Sequence, residues 1–121
     1  MQYVLLIHDD EKFWAELPEE ERNAIYAEYG AFSSALRESG AYVDGHQLQP
    51  TSTATTVRIR DGEQVVTDGP FAETKEQLGG YYVIEAESLD EAISWAERIP
   101  SARFGTIEVR PVVVFPVEAT A

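Results

Sequence analysis

Lys75 stands in a run of polar side chains, Asp68, Glu73, Thr74, Lys75, Glu76 and Gln77, crowded into one short connection. An amine flanked by carboxylates can orient an anionic or carbonyl group, with Glu73 or Asp68 as proton acceptor. The entry to the run is Asp68-Gly69-Pro70-Phe71, a residue free to take positive φ directly before one whose φ is locked. A sharp reversal is expected there, with Phe71 as an apolar anchor and the polar side chains presented on a braced loop. The plainer account is a turn in which Asp68 caps backbone amides and Lys75 pairs with a glutamate.

The histidines are His8 and His46, the ordinary choices for acid-base work at neutral pH. His8 precedes Asp9, Asp10 and Glu11, so a histidine-carboxylate site can be drawn. Adjacent strand residues point to opposite faces, however, and a solvated strand end explains the cluster as well; no metal site is expected. Tyr26, Tyr29, Tyr42, Tyr81 and Tyr82 offer amphipathic rings for a pocket between helix and sheet, although their spacing is also that of core residues. There is no nucleophile elbow, phosphate-cradling loop or dinucleotide fingerprint, and Gly79-Gly80 lacks the required spacing, so no cofactor is expected. The absence of cysteine excludes thiolate catalysis and disulfides.

Strands and helices must position these groups. Tyr3 to Ile7 is a continuous apolar run, expected as a strand. Pro18 suits the first position of a long helix, Glu19, Glu20 and Glu21 suit its positive end, and Ile25, Tyr29, Phe32 and Leu36 draw its apolar stripe up to Gly40. Tyr42 to Leu48 reads as a weaker strand. Thr55 to Arg60 and Glu63 to Thr67 alternate around Asp61-Gly62, a hairpin signal. The strand Tyr81 to Glu87 is followed by Ser88-Leu89-Asp90-Glu91, a capping box opening a second helix with Ala92, Trp95, Ala96 and Ile99 inward. Pro100 ends it, and Thr106 to Phe115 is the last strand.

This order makes an α+β fold: a split βαβ pair with an inserted β-hairpin and an antiparallel sheet. Its helices cover one face, while the central strands are apolar on both, so a homodimer packing sheet on sheet is expected. The 121 residues suit one domain, expected over 1–117 with a C-terminal tail over 118–121. A net charge of −13 repels nucleic acid and anionic membrane surfaces. No apolar run reaches spanning length and Met1 leads straight into a strand, which points to a cytoplasmic protein with no membrane or direct nucleic acid partner.

The segments YVLLIHDDE, ALRESGA, DGPFAETKEQLGGYY and DEAISWAERIP together resemble the DGPF-domain branch of the YCII-related family. The resemblance implies a ferredoxin-like fold in a dimeric α/β-barrel type assembly. Enzymatic relatives carry a helix histidine paired with an aspartate; aligned on Gly40, that position falls near Tyr29, a weak acid with a reference pKa of about 10. The expected function is a small-molecule-binding or accessory protein with a polar pocket near the DGPF loop. One alternative is a metal-independent lyase or hydrolase using Lys75, Asp68, Glu73, His8, His46 or Tyr29. The other, implied by the resemblance, is an accessory role linked to extracytoplasmic-function sigma factors, acting without DNA contact.

Overall fold

Gln2–Asp9 forms strand β1, in which Tyr3, Leu5, Ile7 and Asp9 are buried while the alternate residues are half-buried. The computed structural model describes residues 1–116, so the tail expected over 118–121 lies outside the described residues. Helix α1 (Glu11–Glu16) follows, capped by the Asp10 carboxylate, which accepts the Lys12 N–H at 2.9 Å. Six residues are too few to draw a periodic stripe, so no helix is expected here from the sequence. The helix is short because Leu17, preceding Pro18, is pushed into an extended conformation (ψ 131°).

Helix α2 (Glu19–Ser39) starts as expected, with Pro18 one place earlier, at the N-cap. Gly40 ends it in the left-handed region (φ 81°), its amide donating to the carbonyls of Arg37 and Leu36. Strand β2 (Tyr42–Gln47) bulges at Val43. Strands β3 (Thr55–Arg60) and β4 (Glu63–Asp68) are joined by Asp61 and Gly62 at φ 53° and 78°, the doubly positive pattern whose twist matches a two-residue hairpin.

Strand β5 (Gln77–Glu85) begins earlier than expected and contains Gly79 and Gly80. These glycines lie inside the strand, not ahead of it. A Cβ on Gly80 would stand 2.9 Å from the His46 carbonyl oxygen, so the glycine permits close approach of β2. Helix α3 (Leu89–Ala96) is capped by Ser88, whose hydroxyl accepts the Glu91 N–H at 3.2 Å. The Glu91 carboxylate returns to the Glu87 N–H at 2.9 Å, one residue before the position a strict capping box uses. Strand β6 (Thr106–Pro111) stops at a proline, short of the expected Phe115.

The main sheet runs β2-β5-β1-β6 with every neighbouring pair antiparallel. Helices α2 and α3 share one face: Phe32 meets Tyr82 edge-on at 5.2 Å and Trp95 at 6.1 Å. Leu5, Leu36, Ile84 and Ile99 are the largest apolar side chains fully enclosed between these layers. The other face carries Val4, Leu6 and Val83 half-buried with no helix over them. The β3-β4 hairpin pairs only with itself and leaves Val57, Ile59, Val65 and Val66 exposed. Among the described residues no helix is long and apolar enough to cross a membrane.

Candidate functional site: a cavity under the long helix

Beside its core stripe, α2 carries a second one. Arg22, Tyr26, Tyr29, Ser33 and Arg37 recur every three or four residues and face the gap between α2 and the β2-β5 side of the sheet. The gap is a cavity of about 580 Å³, closed further by Trp14, Tyr42 and Tyr82. That volume suits a small organic molecule, for which pockets of roughly 300–1,000 Å³ are usual. Gly45 and Gly80 form part of the lining. A Cβ at Gly45 would stand 2.7 Å from the Tyr82 ring, so a side chain there would displace one of the cavity's own walls.

The tyrosine hydroxyls are held in fixed orientations. Tyr29 makes a short hydrogen bond with the Ser101 hydroxyl, Tyr82 shares one of 2.9 Å with Ser33, and Tyr26 accepts the Gln47 amide at 3.1 Å. Burial pushes the Tyr29 phenol up to about 12, against the opposing pull of Ser101 and with help from the Asp9 charge. Burial also raises Tyr82. Both phenols are therefore neutral donors at ordinary pH.

Asp9 lines the same cavity and is 5% exposed. Its carboxylate has no hydrogen-bond donor or cation in contact among the described residues. Gly79 and Gly105 make room for it: their added Cβ atoms would come within 3.3 Å of its Oδ1 and 2.8 Å of its Cβ. The arginines of the wall are also without carboxylate partners among the described residues. Arg22 donates to the Leu17 carbonyl at 3.0 Å and Arg37 lies over the Tyr42 ring at 4.4 Å, whereas Arg103 and Arg110 pair with Glu28 and Glu108 at 2.7 Å. In a chain of net charge −13, cations left unpaired around a cavity favour an anionic occupant. Glu11 is committed elsewhere, accepting the Thr51 amide and hydroxyl at 2.7 and 2.8 Å and fastening the Pro50-Thr51 segment at the cavity edge.

Of the residues singled out from sequence, the five tyrosines offered for a pocket between helix and sheet and His46 line this cavity, as do Asp9 and Glu11 from the run after His8. His46 is at its rim, 3.3 Å from the Asp44 carboxylate. His8 lies on the opposite sheet face, 3.4 Å from Glu108, whose carboxyl the Arg110 guanidinium holds below its usual value. Asp68, Glu73 and Lys75 are exposed, and no residue between Pro50 and Gly79 belongs to the lining. This cavity lies on the helix side of the sheet, away from the DGPF loop near which a polar pocket is expected from the sequence.

The loop itself is braced at its entry. Gly69 has φ 99°, its N–H donates to the Ala54 carbonyl at 2.7 Å, and the Thr56 hydroxyl donates to its carbonyl at 2.7 Å. Phe71 is nevertheless 79% exposed rather than anchored, because the hairpin before it packs against no other layer. The polar groups that follow serve the turn: the Thr74 hydroxyl donates to the Glu76 carbonyl at 2.6 Å and the Gln77 amide to the Thr74 carbonyl at 2.5 Å.

Arg22, Arg37 and Trp14 are cavity residues that no site expected from the sequence includes, and Asp9 enters one only beside His8. Asp9 had a signal: it continues the alternation Tyr3, Leu5, Ile7 onto the core face. The arginines had one too, since they extend the Tyr26, Tyr29, Ser33 stripe at both ends. Trp14 had none without α1.

The model of the YCII-related domain matches residues 1–116. An uncharacterized protein of Rhizobium meliloti is 38% identical over 117 residues, spanning 95% of this chain and 94% of that one. Among solved structures, the 5-chloro-2-hydroxyhydroquinone dehydrochlorinase of Burkholderia phenoliruptrix, in complex with 2,5-dihydroxybenzoquinone, matches 93% of this chain and 94% of its own with a TM-score of 0.55. At 19% identity that likeness shows a shared fold.

Proposed function

The chain belongs to the YCII-related family, and from that premise we propose that it binds a small organic molecule in the cavity between α2 and the β2-β5 side of the sheet. One observation carries the reading. Unpaired arginines, neutral phenols and the buried Asp9 carboxylate all face a single space of ligand size. That the dehydrochlorinase of similar fold holds a small ring compound supports it.

A second reading, a metal-independent lyase or hydrolase, is favoured by Asp9 alone. A carboxylate 5% exposed and free of partners among the described residues is available as a base, without the helix histidine of the enzymatic relatives. In either case we take the chain as one ferredoxin-like domain over 1–117, of the DGPF branch, acting in the cytoplasm. The half-buried Val4, Leu6 and Val83 support a homodimer that covers the free sheet face. A dimer is expected in sedimentation at micromolar concentration, and a monodisperse monomer would contradict this assembly.

The binding reading is tested by a thermal-shift screen of metabolites on the wild type, Ser33→Phe and Lys75→Met. The wild type should be stabilised by some compound, Ser33→Phe should lose that shift because the ring fills the cavity, and Lys75→Met should keep it. Shifts retained in Ser33→Phe, or none in the wild type, would overturn the reading. Mass spectrometry of the bound compound after incubation separates turnover from binding alone.

A further inference from the structure

The polarity of the cavity narrows the class of its occupant, a step that rests on the binding reading above. Planar walls come from Trp14, Tyr26, Tyr29 and Tyr42, aromatic faces that favour a flat ring. Asp9 is an acceptor with no donor among the described residues and it opens onto the cavity, so its oxygens are free to accept a proton that a ligand donates. Arg37 is a donor at the rim with no acid among its contacts, its guanidinium lying over Tyr42 at 4.4 Å. Arg22 is partly engaged already, by the Leu17 carbonyl at 3.0 Å. The cavity thus has an acceptor on β1, near enough to Tyr29 for its charge to act on that phenol, and an outer cation on α2. Tyr29 and Arg37 differ by eight positions, which is about 12 Å of helix.

We propose that the cavity takes a hydroxylated aromatic acid, with its ring hydroxyl donating to Asp9 and its carboxylate held by Arg37. The ring lies among the tyrosines, and a short acidic arm covers the distance to the rim. Both ends are charge-assisted hydrogen bonds. Arg37 is exposed at the rim, so a neutral ring would forgo a contact there, and an acid without a hydroxyl would forgo the one to Asp9.

The test is a calorimetric titration of the whole protein with para-hydroxyphenylacetate, phenylacetate and para-cresol, which present both ends, the acid alone and the hydroxyl alone. The hydroxy acid should bind at least about tenfold more tightly than either of the others. Asp9→Asn should erase its advantage over phenylacetate, and Arg37→Gln its advantage over para-cresol. Equal affinity of the wild type for the hydroxy acid and either partial compound would overturn the proposal, as would variants that keep both preferences. Should Asp9→Asn fail to fold by circular dichroism, the comparison of the three compounds on the wild type decides. If none of the three binds while the metabolite screen still yields compounds sensitive to Ser33→Phe, the ligand class is wrong and the cavity remains a binding site. If no compound of any kind binds there, both readings fall.

Discussion

The loop after β4 and the cavity beneath α2 draw on similar residue types with opposite results. The loop holds Asp68, Glu73 and Lys75 close together in sequence, yet it leaves them in solvent beside an exposed Phe71. The cavity gathers Asp9 from β1 with Tyr29 and Arg37 from α2, and leaves the first only 5% exposed. Proximity along the chain leaves Asp68, Glu73 and Lys75 to water, while Thr74 and Gln77 bond the backbone of the turn. Layers packed around a cavity bring Asp9 and Tyr29 to one enclosed space with Arg37 at its rim, and groups gathered in that way can act together on a ligand.

The contrast is sharpest in paired truncations. Leu36, fully buried under α2, should cost about 2–5 kcal/mol as Leu36→Ala, measured by denaturant unfolding. Val57→Ala on the hairpin, where the side chain is 57% exposed, should cost less than about 0.5 kcal/mol. A cost above about 1 kcal/mol for Val57→Ala would mean that the hairpin is covered, and a second copy of the chain would be the first suspect.

Tyr29→Phe comes next, at about 1–3 kcal/mol, because it strands the buried Ser101 hydroxyl. It also carries a pH signature. The folded phenol titrates near about 12 and the unfolded one near 10.0, so the native state holds its proton more tightly. This contribution is complete below the unfolded value and is lost as pH rises from there through the folded value. Stability of the wild type should therefore fall more steeply across that alkaline window than stability of Tyr29→Phe. Parallel profiles would mean that the Tyr29 hydroxyl is not buried against Ser101.

Much of the fold was legible because each local signal agreed with its surroundings. Gly40 closing α2, Asp61-Gly62 turning the hairpin and the Phe32-Leu36 stripe all depend on neighbours within a few residues. Helix α1 was hidden because its apolar content packs on rings outside its own six residues, Phe13 on Phe104 at 4.4 Å and Trp14 on Tyr26 and Phe104 at 5.6 and 5.8 Å between ring centres. The strand is expected only from Tyr81 because glycine signals both release of the chain and close approach, and the neighbouring strand β2 distinguishes them at Gly79-Gly80. The site was half legible. The tyrosines were visible as rings for a pocket or a core, and they serve both, since Tyr82 is in the core and also lines the cavity. Asp9 lay within a conspicuous acidic run whose other members drew attention to its solvated side.

Smaller effects bound the comparison from below. Ser88→Ala should lower stability by about 1 kcal/mol through loss of the α3 cap and should leave ligand-induced shifts unchanged, since Ser88 is not in the cavity wall. Phe71→Ser and Lys75→Met should each stay within about 0.5 kcal/mol of the wild type, as exposed substitutions do. A larger loss for Phe71→Ser would reveal a surface that the ring covers.

The central claim, that the site lies under α2 and not at the loop, is tested most directly by mapping amide chemical shifts while titrating the compound that stabilises the protein most. The perturbed amides should cluster at Asp9, at Tyr26 to Arg37 on α2, and at Gly45 and Gly80 on the facing strands. Perturbations confined to residues 68–76 would contradict the account and return the site to the loop.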